Sequence, residues 1–96
     1  MEHWKVDWAH EFQSEPVRFY SEIGSDGYEA RKIQLYRDGR ILKADAFHES
    51  AEIGLSEVPV GSIDDVANQP DFSASSISSE EFERAWRTAS WPPRRR

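Results

Sequence analysis

Apolar and polar residues alternate along the first half of the chain. From Glu2 to Ala9, Trp4, Val6 and Trp8 interleave with Lys5 and Asp7, and a period of two marks a half-buried β-strand. His10 to Glu15 is a polar connection. Pro16 then opens a second strand, where its missing N–H does little harm. That strand runs to about Ile23, with Val17, Phe19 and Ile23 on one face and Arg18, Tyr20 and Glu22 on the other.

Two turns set the expected registers. Arg37-Asp38-Gly39-Arg40 stands between alternating segments, and Asp-Gly there favours a two-residue type I′ turn. Such a turn pairs Tyr36 with Ile41, Leu35 with Leu42, Gln34 with Lys43, Ile33 with Ala44 and Lys32 with Asp45. Leu35, Leu42, Ile33 and Ala44 then share one face, and Lys32–Asp45 forms a cross-strand charge pair on the other. Placing Val17 and Phe19 on the face of Leu35 and Ile33 leaves Ser25-Asp26-Gly27 as a three-residue loop. Such loops close on a residue in the left-handed region, and Gly27 stands there. A slip of one residue would set Phe19 opposite Lys32, which the core does not tolerate.

A further strand is expected within Glu52 to Val60, broken near Ser56-Glu57 where Ile53 and Leu55 fall out of phase with Val58 and Val60. Ser62 caps a short helical turn from Ile63 to about Asn68, and Pro70 ends it. Ser73 to Ser79 reads as a linker. The clearest helix follows it. Ser78 with Glu81 makes a capping box, Ile77 with Phe82 a hydrophobic staple, and Phe82, Ala85, Trp86 and Ala89 a buried stripe. Glu80–Arg84 and Glu83–Arg87 are i,i+4 pairs on its outer side. The expected fold is α+β: an antiparallel β-meander of about four strands packed against a C-terminal amphipathic helix. It occupies residues 1–91 as a single domain, and residues 92–96 form a basic tail ending in Arg94, Arg95 and Arg96.

Composition narrows the class. Ninety-six residues with four Trp, five Phe and three Tyr can build a modest core without staples. The chain has no cysteine, which excludes disulfides and thiolate sites and favours a reducing compartment. Met1-Glu2-His3-Trp4 lacks the basic and apolar regions of a signal peptide, and no apolar run is long enough to span a membrane, so a cytoplasmic location is expected. A net charge of −6 argues against direct nucleic-acid binding and suits a partner with a basic surface.

Several segments resemble a known family. They are Trp4-Lys-Val-Asp-Trp8, Glu15-Pro16-Val17 with Tyr20-Ser-Glu-Ile23, Gly27-Tyr-Glu-Ala-Arg-Lys-Ile33, Arg37-Asp-Gly-Arg40, Glu57-Val-Pro59 and Ile77-Ser-Ser-Glu-Glu-Phe82 with Trp86. Together they resemble a family of short bacterial single-domain proteins of unknown function, of about 90 residues, from Trp4 to about Ala89. The resemblance implies a bacterial or phage origin and a stand-alone domain, and it transfers no activity to any residue.

No catalytic or metal-binding constellation stands out. His3, His10 and His48 read as exposed loop histidines without ligand spacing. The serines have no evident base, and the glycines lie in turns, with no phosphate-binding pattern. No cofactor is implied. Trp4, Trp8 and Trp86 read as core, and Trp91 as exposed. The informative surface is the second sheet face, where the expected registers gather Arg18, Tyr20, Glu22, Lys32, Gln34, Tyr36, Ile41 and Lys43. Tyrosines among mixed charges are typical of recognition surfaces. The expected function is a non-catalytic protein-binding domain, an inhibitor or immunity-type protein that occludes a partner surface. The alternative is a small ligand-binding or enzymatic accessory domain with a pocket between sheet and helix. Dimerisation through an edge strand is a third route.

Overall fold

The computed structural model describes residues 1–48, 53–56 and 59–92. Its elements are β1 (Glu2–Trp8), β2 (Pro16–Ile23), β3 (Glu29–Tyr36), β4 (Ile41–Asp45), α1 (Ile63–Ala67), β5 (Phe72–Ser76) and α2 (Ser79–Thr88). The strands form one antiparallel sheet in the order β4-β3-β2-β1-β5. The α+β meander is as expected, with one strand more than the expected count. That strand, β5, replaces most of the expected serine linker. Serine has little strand preference, but Phe72 and Ala74 alternate inward against the cluster around Trp4 and Val6, and β1 offers an open ladder. The strand expected within 52–60 is not formed: residues 53–56 and 59–60 lie outside any strand, while Glu52, Glu57 and Val58 fall outside the described residues.

Both hairpins turn where expected, yet the registers differ by one residue. At the first, Gly24 N–H donates to Tyr28 C=O at 2.9 Å and Gly27 takes φ +83°, giving the three-residue loop. Ile23 pairs with Glu29 in the expected register, but the next pair is Glu22–Arg31, so Ala30 is an extra residue and the ladder slips. Phe19 therefore lies opposite Gln34, and Tyr20 opposite Ile33.

At the second hairpin only Gly39 has positive φ, so the two-residue turn does not form. Tyr36 N–H bonds Arg40 C=O at 2.8 Å across a three-residue loop, and the Asp38 carboxylate accepts from Arg40 N–H at 3.0 Å. Leu35 thus pairs with Ile41, Ile33 with Lys43 and Arg31 with Asp45. The expected Lys32–Asp45 pair is absent; Lys32 binds Glu29 at 3.2 Å instead.

The slip is tolerated because both sheet faces are covered. On the first face, Trp4, Val6 and Ile23 pack with Phe19, Val60, Ile63, Val66, Phe72 and Ala74, and beside them Tyr36, Leu42, Ala44 and Ile53 form a second cluster. On the second face, Ile33 meets Phe82 and Ala89 of the α2 segment, flanked by Tyr20, Ile41, Ile77, Ala85 and Trp86. Apolar side chains are therefore wanted on both sides of β3 and β4.

The helices begin at the expected serines. Ser78 accepts from Glu81 N–H at 3.1 Å. The reciprocal capping box belongs instead to Ser62 and Asp65 of α1. Among the described residues neither expected i,i+4 pair on α2 forms, and Glu83 turns inward to Arg31 instead of reaching Arg87. Phe82 is fully buried, and truncating it leaves a cavity between helix and sheet. Phe82→Ala is expected to lower the unfolding free energy by about 3–5 kcal/mol in urea titration, whereas a loss under ~1 kcal/mol would mean that α2 does not carry this layer.

Candidate functional site

Helix α2 crosses the second face at one end of the sheet and leaves the other end open. At the covered end it rests on an ionic cluster. Arg31 on β3 holds Glu22 on β2 through two bonds of 2.7 Å, Nε to Oε1 and Nη2 to Oε2. It also pairs with Glu83 on α2, and its guanidinium lies 4.9 Å and 4.8 Å from the Phe82 and Trp86 ring centres. His3 Nε2 shares a hydrogen bond with Glu22 at 2.9 Å, and the His3 ring packs against Phe82. His3 is thus buried between β1 and α2, not the exposed loop histidine expected from its position near the N-terminus.

Charge follows the geometry. The Arg31 fork holds the Glu22 carboxyl below its ordinary value, against the opposing push of burial, and His3 adds to the lowering. Arg31 likewise lowers Glu83. The hydrogen bonds that Arg31 donates to Glu22 and then to Glu83 raise its own pKa in turn. All three ions are held in their charged forms, the reverse of a carboxyl tuned to exchange protons near neutrality.

The open end presents a groove of about 400 Å³ along α2, lined by Tyr20, Leu35, Ile41, Ala85, Glu81 and Arg84, with Thr88 at its end. Its floor is aliphatic and aromatic, and its rim carries one acid and one base. Beside it, Arg18 Nε donates to Asp7 Oδ1 at 2.6 Å, a contact that raises the Arg18 pKa. A second hollow of about 330 Å³ opens on the first face among Trp8, Phe19, Gln34, Tyr36 and Arg40, with the Arg40 guanidinium 4.5 Å above the Tyr36 ring.

The expected recognition set is divided by the one-residue slip. Arg18, Tyr20, Glu22, Ile41 and Lys43 lie on the second face, whereas Lys32, Gln34 and Tyr36 lie on the first. Glu22 is consumed by Arg31. Lys43 donates to Trp86 C=O at 3.3 Å and lies over the Trp86 and Trp91 rings, close to the end of α2. Lys32 is held by Glu29 and by Gly54 C=O, and Tyr36 is core. Arg18, Tyr20 and Ile41 remain at the open end. The sequence reading missed Leu35, Glu81, Arg84 and Ala85 there. Leu35 was placed in the core by the register, and Ala85 by the helical stripe; the 3.6 period alone does not say how much sheet a helix covers.

Among the described residues no group of three or more His, Asp or Glu is arranged to hold a metal ion, and no helix is long and apolar enough to cross a membrane. On the first face, buried Glu29 accepts from Ser21 Oγ at 2.8 Å and from Ser56 N–H at 3.0 Å, in addition to its Lys32 pair. This second buried carboxylate anchors residues 53–56 to the sheet.

The ionic cluster sets a pH dependence of stability. Glu22 and Glu83 titrate below 4.5 when folded, so the unfolded chain binds more protons in that range. Their stabilisation is complete above the unfolded value and is lost as pH falls through the folded values. Arg31→Met strands buried Glu22 and is expected to cost about 3 kcal/mol at pH 7. It should also flatten the loss of stability as pH falls below the ordinary glutamate range. Urea titrations across pH measure both effects, and an unchanged acid limb would sink this account.

Residues 2–91 match the family model described as a domain of unknown function, DUF6881. Neither the curated proteins nor the solved structures contain a match to this chain. With the match covering all seven elements of the described residues, the chain belongs to the DUF6881 family of domains of unknown function.

Proposed function

We propose that this chain is a non-catalytic protein-binding domain that uses the open end of the second sheet face, with an inhibitor or immunity-type role as its concrete form. The observation that carries the reading is the half-covered face. Tyr20, Leu35 and Ile41 line a groove beside α2, rimmed by Glu81 and Arg84 and flanked by Arg18 and Asp7. An apolar floor with a charged rim has the anatomy of a protein interface. The buried carboxylates Glu22 and Glu29 are both engaged by cations within the fold, which supports a structural role for them. The net charge of −6 favours a basic partner and makes association fast and salt-sensitive. The absence of cysteine is consistent with a cytoplasmic setting.

The same groove supports a second reading. Its volume of about 400 Å³ falls within the range of small-molecule sites, so a ligand-binding accessory domain is the alternative. Thermal stabilisation by a small molecule, without any protein partner, would favour it.

The test is affinity capture from the source organism with the wild type and with Leu35→Arg, a change at the groove floor. A protein retained by the wild type at low salt should be released as salt rises. Leu35→Arg should weaken its binding at least ~30-fold, the loss of one interface hot spot, while Phe12→Ala, a change at an exposed site outside the groove lining, leaves it intact. Equal capture by the wild type and Leu35→Arg, with both folded by circular dichroism, would remove the groove from the interface.

A further inference from the structure

The two edges of the sheet are treated differently. At the β4 edge the chain closes its own ladder: Lys43 N–H donates to Ser90 C=O at 3.0 Å, and Ser90 N–H to Ile41 C=O at 2.8 Å. At the β5 edge no described strand pairs on the outer side. Hydrogen-bond parity shows what that edge presents. Ile77 N–H donates to His3 C=O at 2.8 Å and Ala9 N–H to Asp71 C=O at 2.9 Å. In an antiparallel ladder these bonded pairs recur every second residue, so Ser73 and Ser75 turn their main-chain groups toward β1. Phe72, Ala74 and Ser76 direct theirs outward. Among the described residues only the Phe72 N–H of these groups is already used, by Gln69 C=O at 3.1 Å.

Natural edge strands usually carry Lys, Pro, an inward charge or a bulge that discourages pairing. Phe72-Ser-Ala-Ser-Ser76 has none of these, although 31% of the chain is charged. We infer that β5 pairs antiparallel with β5 of a second copy of this chain, about a two-fold axis at Ala74, which joins the two sheets into one.

The segment is self-complementary in that arrangement. Ala74 N–H donates to Ala74 C=O of the second copy and Ser76 N–H to its Phe72 C=O, each reciprocally. The one outward N–H that is already used, that of Phe72, leaves the remaining donors matched. Ser73 faces Ser75 of the second copy across non-bonded positions, where side chains approach most closely and no charge is present. Asp71, the nearest acid in sequence, is three residues from the axis, so the copies' Asp71 side chains stand roughly 20 Å apart, beyond the Debye length at physiological salt. Directly opposed residues share a face, so the dimer sets both proposed groove surfaces on one side of the joined sheet. The inference does not depend on what the groove binds.

A short main-chain interface belongs to the weak, transient class. Sedimentation equilibrium of the full chain should show a mass rising from 11.1 kDa toward twice that value over ~10 μM to ~1 mM. Ser73→Lys/Ser75→Lys alters two exposed positions and sets lysine against lysine across the axis. It is expected to remain monomeric with unchanged circular dichroism. Ser73→Glu/Ser75→Glu should do the same, and mixing the two variants should restore association as a heterodimer. Ala74→Pro, which removes an outward N–H and no bond to β1, provides a second block. A wild type monomeric to ~1 mM, a dimer indifferent to the lysine pair, or a mixture that fails to associate would each overturn the inference.

Discussion

Burying a carboxylate obliges a protein to bring a cation to it, and Arg31 answers that need for Glu22. The fork of two 2.7 Å bonds fixes the guanidinium plane, and that plane becomes the surface on which Phe82 and Trp86 rest. Glu83 then adds a second ion pair from above. Helix α2 is thus positioned by charge as well as by its apolar stripe. A ten-residue helix cannot cover five strands, so its position decides which part of the second face stays open. The groove at Tyr20, Leu35 and Ile41 follows from where Arg31 holds the helix.

Glu29 imposes the corresponding constraint on the first face. Its oxygens collect Ser21, Lys32 and the Ser56 N–H, while Lys32 also reaches Gly54 C=O. Gly27 C=O receives the Val60 N–H at 3.0 Å. An irregular connection is thereby tied across the sheet, and Ile53 beneath it is almost wholly enclosed. Each face of the sheet thus has an apolar cluster pinned beside a satisfied carboxylate. Releasing either covering layer would break a bond to these ions, Glu83 to Arg31 on one face and the Ser56 N–H to Glu29 on the other.

Much of the fold was legible residue by residue. Ser62 and Ser78 marked both helix starts, Gly27 and Gly39 marked both hairpin loops, and the stripe from Phe82 to Ala89 marked the buried side of α2. These features depend on contacts within a few residues, which a local pattern contains. The registers were not legible. The hydrophobic pattern assigns register only when one face is buried, and here Ile33 and Leu42 are core on opposite faces. A bulge at Ala30 and one residue more in the Arg37–Gly39 loop sufficed to divide the expected recognition set. Strand β5 was missed for a related reason: its stability comes from β1 and from Trp8 stacked on Phe72 at 5.7 Å, not from its own serines.

What the amino-acid order determined by itself is therefore local: strand and helix periods, caps, turn glycines, an acidic cysteine-free chain, and the likeness to a family without assigned chemistry. Only the tertiary structure decided that the sheet is covered on both sides, that His3 and Glu22 are interior, and that Ser90 bonds along one edge while no described strand pairs on the outer side of β5. These outcomes rest on pairings between residues far apart in the chain, such as Arg31 with Glu83 and Trp4 with Ser76. Their energies depend on which faces meet, and a period of two or of 3.6 records that a face exists without recording what covers it.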